Sequence, residues 1–528
     1  MRRSPVESHV GMGLSYTING QSASRQTTCQ TAWKIDGPPL AVSICDATRG
    51  ELPARREPPA WFAICLLHET LMRIARSSLV VAVMCASVAT LGACKQHAGG
   101  DESADSALPA DACVGVQCSI VDCSSKGLPS TTVSGTVFAP NGTLPLYGVT
   151  VYVPGADPGP LSSGVQCGRC SDTLPGGSYA QAITDEAGHF KLRDVPATTN
   201  VPIVIQVGKW RRQLTVPNVA ACQDTALATA LTTLPKNKSQ GDMPQIAVTT
   251  GDQDALDCLV RKLGIDDTEI TTDAKNGRVH LYSGNGAKEF APGFPGGTGT
   301  FSDAQTLWGD LGKLSRYDIV LFSCEGGQIP ATKPQSALQA VHDYADRGGR
   351  VFLSHWHNIW VGGEKDVPAH SLADWKSIAT FDYVAAQDEK TQLTIVDEAA
   401  PKGMSYATWL QNVGGSTTRD QIQVNDPRYT CQAVNPTKGE RWVYVDPTKS
   451  TPLGKTGVQD MLFTTPQNQP PEDRCGKVVF SDMHVSSGSS SKSTVPYPGG
   501  CSNLPLSAQE KALAFIFFDI SSCVGVLQ

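Results

Sequence analysis

Hydrophobic and polar residues alternate in short runs between residues 131 and 235, and turn residues separate these runs. Alternation with a period of two is typical of β-strands that bury one face. Asn141-Gly142 and Pro154-Gly155 are typical of the tight turns that join such strands. The β-prone runs are Thr132 to Phe138, Val149 to Val153, His189 to Leu192, Pro202 to Val207 and Arg212 to Val216. Several short strands at this spacing predict an all-β sandwich over 131–235.

The pattern changes after Met243, where continuous apolar runs alternate with runs of helical period. Continuous apolar runs are typical of strands that are buried on both faces. These runs are Gln245 to Thr250, Arg278 to Tyr282, Tyr317 to Ser323, Arg350 to Ser354 and Lys477 to Ser481. Strands that alternate with helices predict an α/β domain over 243–528, with a doubly wound and mainly parallel sheet. The fold class is therefore multi-domain, an all-β sandwich followed by an α/β unit.

Two helices of this second domain carry capping signals. Asp252 can cap a helix after the first strand, and Gly264 follows its last apolar residue. Ser507 and Glu510 stand in capping-box spacing before the last apolar helix. Residues 366–470 interrupt the alternation as an insertion, for which we expect antiparallel strands that include Trp442 to Val445 and Met461 to Thr464.

An export signal lies between Met72 and Cys94. Arg73 and Arg76 precede an apolar stretch that is too short to span a membrane comfortably. The stretch ends in Leu-Gly-Ala-Cys94, which resembles the bacterial lipobox, in which the cysteine thiol receives the lipid. We therefore expect residues 72–94 to be a lipoprotein signal peptide with its lipobox, and Cys94 to be the lipidation site.

The segments on either side of this signal contain no sustained period. We interpret residues 1–71 as disordered or not part of the native protein, because a signal peptide acts at an N-terminus; the alternative is an anchoring extension through Trp61 to Leu67. Residues 95–130 are a cysteine-containing tether, and its first part is rich in Ala, Gly, Ser and Asp.

Cysteine usage supports export, since the chain of 528 residues contains 17 cysteines. Twelve follow Cys94, six before residue 240 and six after it, which suggests independent disulfide sets in the two domains. Cys167 and Cys170 lie in a Gly/Pro-rich loop, where a structural disulfide is favoured over zinc or redox chemistry. We also predict a disulfide between Cys258 and Cys324, which the fold is expected to bring together. The net charge of −7 and the lack of a Lys/Arg-rich run argue against nucleic acid as a partner.

Residues of the first domain resemble a known module. Ser134 to Val137, Gly148 to Tyr152 and Thr184 to Phe190 with Val195-Pro196 look like the carboxypeptidase regulatory-like domain. The resemblance covers about a hundred residues and implies a spacer, adhesion or binding role rather than catalysis. The loop from Val165 to Tyr179 looks like an insertion into it.

The second domain is similar to the class I glutamine amidotransferase-like fold, including its trehalose-utilisation-type relatives. Three segments carry this resemblance: Tyr317 to Gly327, Gly348 to His355 and Gly476 to His484. In that family the nucleophilic cysteine follows a strand in a Gly-flanked elbow, but here that place holds Ser354-His355-Trp356. Cys324 is one strand too early, so we do not expect glutamine hydrolysis.

Five polar residues are expected at the carboxyl ends of strands, where doubly wound sheets bind ligands. We call Glu325, His355, His357, Asp482 and His484 the strand-end cluster. One hypothesis is a metal site of His355, His357 and His484. Another is an acid/base pair of His484 with Glu325 or Asp482. The third is that these groups only cap strands or bond within loops.

Trp356 and Trp360 lie beside the two neighbouring histidines, which makes His355, Trp356, His357 and Trp360 candidate ligand-binding residues. An indole ring suits stacking on a sugar, but it suits a core equally well.

These patterns predict a lipid-anchored protein of the bacterial cell envelope, at the outer membrane or cell surface, that binds a carbohydrate or protein ligand without catalysis. One alternative is a metal- or His-dependent hydrolase of surface carbohydrate or peptide. Another is a purely structural envelope protein. No cofactor is expected, apart from a possible divalent metal.

Overall fold

A computed structural model describes residues 115–383, 390–449, 456–485 and 495–525, together with the backbone of a two-strand hairpin, β1 (Thr17–Ile18) and β2 (Gln21–Ser22). The lipobox with Cys94, the signal peptide 72–94, residues 95–114 of the tether and all of 1–71 outside this hairpin lie outside the described residues. Residues 108–528 form one compact unit, to which the rest of this section refers. Among the described residues no helix has the length and apolar character of a membrane-spanning segment.

The first part of this unit consists of two small sheets. One has the order β6-β3-β9 and the other the order β5-β4-β7-β8. Their strands are β3 (Thr132–Thr136), β4 (Thr150–Pro154), β5 (Ser178–Ile183), β6 (His189–Arg193), β7 (Thr199–Val207), β8 (Trp210–Asn218) and β9 (Asp224–Ala226). Apolar side chains from both sheets, such as Val133 and Leu192 from one and Val151 and Ile203 from the other, belong to one hydrophobic core. Five of these strands match predicted runs, whereas β5 and β9 had not been predicted.

The second part is built on a large mixed sheet with the order β11-β12-β10-β14-β15-β22-β21-β20-β17-β18, in which β13 also pairs with β12. Along this order, each neighbouring pair of strands from β11 to β22 is parallel, and each neighbouring pair from β22 to β18 is antiparallel. The parallel strands are β10 (Ile246–Thr249), β11 (Ile270–Thr272), β12 (Val279–Ser283), β13 (Ser302–Asp303), β14 (Ile319–Phe322), β15 (Arg350–Ser354) and β22 (Gly476–Ser481).

The antiparallel half comes mainly from the predicted insertion. Its strands are β17 (Thr391–Val396), β18 (Gln421–Asn425), β20 (Glu440–Val445) and β21 (Gly457–Thr465). A separate two-stranded sheet pairs β16 (Ala379–Phe381) with β19 (Cys431–Val434). The predicted antiparallel strands near Trp442 and Met461 are confirmed.

Helices flank the strands of this part. They are α2 (Leu256–Lys262), α3 (Gln305–Trp308), α4 (Leu311–Leu314), α5 (Gln335–Asp346), α6 (Ile359–Gly362), α7 (Ala373–Lys376), α8 (Gly403–Asn412) and α9 (Ala508–Ser521), whereas the short helix α1 (Thr229–Thr232) lies beside β3 in the first part. The predicted capping box of α9 is confirmed, because the Ser507 hydroxyl accepts the Glu510 amide and the Glu510 carboxylate accepts the Ser507 amide. The predicted cap of α2 is wrong: this helix begins at Leu256 after Ala255, and Asp252 does not cap it.

The large sheet is buried on both faces. Val320 and Phe322 of β14 contribute to one hydrophobic core with α5, whereas Ile319 and Leu321 contribute to another with α9. Successive side chains of a strand point to opposite faces, so this division shows apolar packing on each side of the sheet. The core that contains Ile319, Leu321 and α9 also includes the apolar side chains between the two small sheets, so the two parts of the unit share one hydrophobic core.

Disulfides join the two parts covalently. Among the described residues four pairs are bonded, Cys123–Cys222, Cys167–Cys475, Cys170–Cys523 and Cys258–Cys501. The expectation of independent disulfide sets is wrong, because two of these bonds connect the loop before β5 to the large-sheet part. The predicted Cys258–Cys324 disulfide is also wrong, since Cys258 pairs with Cys501 at 2.01 Å and Cys324 is free and buried.

Candidate functional site

The strand-end cluster lies where the sequence places it, after the carboxyl ends of β14, β15 and β22. These three strands are parallel neighbours, so the residues that follow them meet at one edge of the sheet. All five side chains of the cluster are at most 5% exposed. Buried polar groups are costly without partners, so the partners of each member decide what it can do.

His357 is satisfied on both ring nitrogens. Nε2 donates to the carbonyl oxygen of Ser323 at 2.9 Å, and Nδ1 accepts the indole N–H of Trp360 at 2.8 Å. Burial lowers the pKa of this imidazole well below its usual value, which keeps the ring neutral. With neither nitrogen available, His357 does not join the predicted metal trio.

Trp360 belongs to the interior. It is 1% exposed, and its ring packs against Trp308 and Phe322 at centroid distances of 5.7 Å and 5.5 Å. The hypothesis that Trp360 stacks on a ligand is therefore wrong, because no face of the ring is open. Trp356 is half-buried and packs beside His355 at 4.9 Å.

Glu325 pairs with a buried lysine that sequence reasoning missed. The Nζ of Lys333 donates to Glu325 Oε2 at 2.5 Å and lies 4.9 Å from the centre of the Trp308 ring. Burial raises the pKa of Glu325 and lowers that of Lys333, while each charge opposes the shift of the other. Nothing in the spacing of the sequence signals this pair, since Lys333 lies in the irregular segment before α5.

Asp482 holds the insertion against the sheet. Its carboxylate accepts the hydroxyl of Thr430 at 2.8 Å and the amide of Cys431 at 2.9 Å. Burial raises the pKa of Asp482 to about 7 despite these donors. The expected acid/base pairs are not formed: among the described residues, neither Asp482 nor Glu325 makes a hydrogen bond to His484.

His355 and His484 come together, as the metal hypothesis required, but the third member is Cys324. Cys324 Sγ lies 3.4 Å from His355 Nδ1, and the rings of His355 and His484 are 5.1 Å apart. One potential ligand atom from each residue lies within 4.8 Å of the other two. We call Cys324, His355 and His484 the Cys-His-His trio.

The trio is deeply buried and partly unsatisfied. Within the described ranges, His355 Nε2 and both ring nitrogens of His484 have no hydrogen-bond partner. Burial lowers the pKa of both imidazoles and raises the pKa of the Cys324 thiol to about 12. His355 also adopts a left-handed backbone conformation, with φ of +43°, which is uncommon for a residue other than glycine.

Asp254 orients both histidine-bearing segments. Its carboxylate accepts the Ser354 hydroxyl at 2.5 Å and the Val485 amide at 2.7 Å. Ser354 precedes His355 and Val485 follows His484, so a single buried carboxylate positions the two backbones. Sequence reasoning missed Asp254 because its partners are about one hundred and more than two hundred residues away.

A separate cavity of about 560 Å³ lies between the two parts of the unit. It is lined by the loop that carries Cys167 and Cys170, by Gln181 of β5, and by Asp318 and Arg350 at the amino ends of β14 and β15. Arg350 donates to the carbonyl oxygens of Gly348 and Cys475, which fixes this side of the cavity. The cavity is therefore at the opposite ends of the strands from the strand-end cluster.

These features define a β-rich, disulfide-bonded protein of several sheets, of which the largest is mixed.

No protein-family model and no curated protein matches the chain. Two solved structures are similar to part of it, both interface mutants of a type II cohesin–X-dockerin complex from Acetivibrio cellulolyticus. The C-terminal interface mutant is 17% identical, with 28% of this chain and 79% of that chain covered and a TM-score of 0.14. The N-terminal interface mutant is 19% identical, with 26% and 85% covered and a TM-score of 0.15. Scores this low carry no argument about fold or function.

Proposed function

We propose that this chain is an exported, lipid-anchored envelope protein that binds a carbohydrate ligand in the cavity between its two parts. The observation that carries the proposal is the cavity itself, which is bordered by a loop that two disulfides hold to the large-sheet part. Its volume lies within the range of about 300–1,000 Å³ that small-ligand sites occupy. A loop held in place before binding loses little conformational entropy when the ligand arrives.

The lining of the cavity combines a larger apolar surface with neutral polar and charged side chains. Gln181, Ser178 and Thr173 offer hydroxyl and amide groups, and Leu161 and Leu174 offer apolar surface. This mixture suits a sugar, whose hydroxyl groups need donors and acceptors and whose ring carbons need apolar contact. The alternative ligand is a protein whose surface presents hydroxyl groups beside apolar groups, because the same side chains would bind it.

The finer fold assignment belongs to this proposal. Five adjacent parallel strands have the order β12-β10-β14-β15-β22, and without the short edge strand β11 this is the 2-1-3-4-5 order of flavodoxin-like doubly wound sheets. This order supports our assignment of the second domain to the amidotransferase-like α/β folds. The two small sheets support the assignment of the first domain to the carboxypeptidase regulatory-like modules.

Filling the cavity tests the binding proposal. Gln181→Trp places an indole in the cavity, and we expect it to weaken binding of purified envelope polysaccharide at least tenfold. Gln213→Trp is the matched control, because Gln213 is exposed on β8 and does not line the cavity. Binding is measured by calorimetry or by co-sedimentation with the polysaccharide, with an envelope protein extract as the second probe. Equal binding by both variants and the wild type contradicts the proposal.

Hydrolysis is a second candidate function. The observation that favours it is the pairing of His355 with His484 at the carboxyl ends of the parallel strands, with unsatisfied ring nitrogens. Turnover of the polysaccharide that His484→Ala abolishes and Gln181→Trp leaves intact favours this candidate over binding alone, because the cavity lies at the opposite ends of the strands from His484.

A further inference from the structure

We propose that the Cys-His-His trio is a Zn²⁺ site, with Cys324 Sγ and one ring nitrogen each from His355 and His484 as ligands. The three residues end adjacent parallel strands, and all are buried. This inference is independent of the cavity, which lies at the other ends of the strands.

The distances fit a tetrahedral ion. Zinc–sulfur bonds of about 2.3 Å and zinc–nitrogen bonds of about 2.0–2.1 Å place neighbouring ligand atoms roughly 3.3–3.6 Å apart. The distance from Cys324 Sγ to His355 Nδ1 is 3.4 Å. All ligand atoms lie within 4.8 Å of one another, so the widest pair needs to close by at most about 1.5 Å, which rotation of the imidazole rings supplies.

The hydrogen bonding separates this trio from the neighbouring histidine. His357 is bonded on both ring nitrogens, whereas both nitrogens of His484 and Nε2 of His355 have no partner among the described residues. An unsatisfied buried polar group is costly, so the two bare ring nitrogens of His484 at one point favour a further group there. A metal ion bound at this point satisfies one of the two nitrogens of His484 and replaces the weak thiol contact at His355 Nδ1.

The backbone is built to hold the ligands in place. His355 adopts the left-handed conformation that turns its ring towards Cys324 and His484, and such strain is typical of functional sites. Asp254 is a positioning residue, because it accepts hydrogen bonds from the residue before one ligand and from the residue after the other. Both observations are independent of the distances within the trio.

Three protein ligands leave a fourth position on a tetrahedral ion. Structural zinc sites are filled by four protein ligands, whereas catalytic sites keep one position for water or substrate. On binding, the Cys324 thiol forms the sulfur–zinc bond as a thiolate and its proton passes to the solvent, so uptake releases about one proton per ion. The donor set of one sulfur and two nitrogens suits zinc and excludes magnesium and calcium, which prefer oxygen.

Metal titration of the purified mature chain tests the site. After treatment with a chelator, we expect the wild type to bind one equivalent of Zn²⁺. Substitution by Co²⁺ should give a visible spectrum and a thiolate-to-cobalt charge-transfer band. Cys324→Ser and His484→Ala should each weaken binding at least a hundredfold, and Cys324→Ser should also remove the charge-transfer band. His484→Asn replaces the alanine variant if that variant fails to fold by circular dichroism.

Two matched controls keep the result specific. Cys431→Ser alters the other free buried cysteine among the described residues, and His189→Ala removes an exposed histidine of β6. Both should bind one equivalent as the wild type does. No zinc uptake by the wild type overturns the proposal, as does tight binding by Cys324→Ser or an equal loss in Cys431→Ser. None of these outcomes affects the polysaccharide test of the cavity.

Discussion

Two aspartates show how burial changes the chemistry of single residues. Asp460 on β21 and Asp482 after β22 are both fully buried, and burial raises the pKa of each to about 7. The negative charge of Asp482 raises the pKa of Asp460 further, and the nearby Ser481 side chain opposes the shift. Each carboxyl therefore binds its proton more tightly in the folded state than in the unfolded state.

We expect Asp460→Asn to change the pH dependence of stability. An aspartate has a pKa of about 3.9 in an unfolded chain, so between about pH 4 and pH 7 the unfolded state ionises while the folded state stays protonated. The free energy of unfolding therefore falls as pH rises through this window. Asn cannot ionise, so the variant should lose part of this slope in urea unfolding measured from pH 4 to pH 7.

The control for this prediction is Asp157→Asn, which changes an exposed aspartate of the loop after β4. Its curve should run parallel to that of the wild type. Parallel curves for Asp460→Asn as well would show that Asp460 ionises normally in the folded protein.

At the scale of elements, the hairpin of β7 and β8 joins the two parts of the unit. Gly208 in its turn lies against the carbonyl oxygen of Ser521 at the end of α9, and Trp210 packs on Phe518 of the same helix at 6.2 Å. Lys209 between them forms an ion pair with Asp318 at 2.6 Å. The alternating pattern predicts both strands, but it does not show that their turn is buried against a helix more than three hundred residues away.

Gly208→Ala should therefore be strongly destabilising. Gly208 has φ of +53°, and an added Cβ would overlap the carbonyl oxygen of Ser521. Gly142→Ala is the matched control, because Gly142 has φ of +74° and no atom within 4 Å of an added Cβ. The control measures the cost of placing alanine in a left-handed backbone, which is about 1–2 kcal/mol. Gly208→Ala should lower the free energy of unfolding by at least about 1 kcal/mol more than the control does, because of the added overlap. Equal losses would mean that the turn moves away from α9 at no cost.

The start of α2 shows why local signals are sometimes overridden. Asp252 has the residue type of a helix cap, yet the chain continues in an irregular segment to Ala255. Gln253 donates its amide to the carbonyl of Cys324, and Asp254 accepts from Ser354 and Val485. These contacts come from three other segments, so they stabilise the irregular segment more than a single cap stabilises one extra helical turn.

At the scale of the molecule, the disulfides bear on the cellular compartment in which the protein folds. Disulfides that join the loop before β5 to residues 475 and 523 need an oxidising environment, which supports the proposal of export. Two buried cysteines, Cys324 and Cys431, remain free in the described part of the chain. Burial separates these thiols from solvent oxidants, and for Cys324 it also suits the proposed metal site.

The lipid anchor is tested on the whole chain in a bacterial host. Cys94→Ser should abolish labelling by a radioactive fatty acid and move the protein from the membrane fraction to the soluble one, because the lipobox thiol is the proposed attachment point. Cys431→Ser is the matched control, because Cys431 is a free cysteine far beyond the lipobox whose replacement should leave labelling unchanged. Labelling that persists in Cys94→Ser contradicts the anchor.

The sequence determined most strands and the position of the strand-end cluster. Alternating and continuous apolar runs reflect burial on one face or both, so β3, β15, β20 and β22 were predictable from local pattern. The capping box of Ser507 and Glu510 was predictable for the same reason, since its two partners are three residues apart.

Only the tertiary structure decided which distant groups meet. Cys258 pairs with Cys501 rather than Cys324, Glu325 pairs with Lys333, and Cys324 replaces His357 beside His355 and His484. Each of these pairings depends on the direction in which a side chain points from its strand and on the loop that packs against it. The residue spacing carries no information about either, because both are set by contacts between segments that are far apart in the chain.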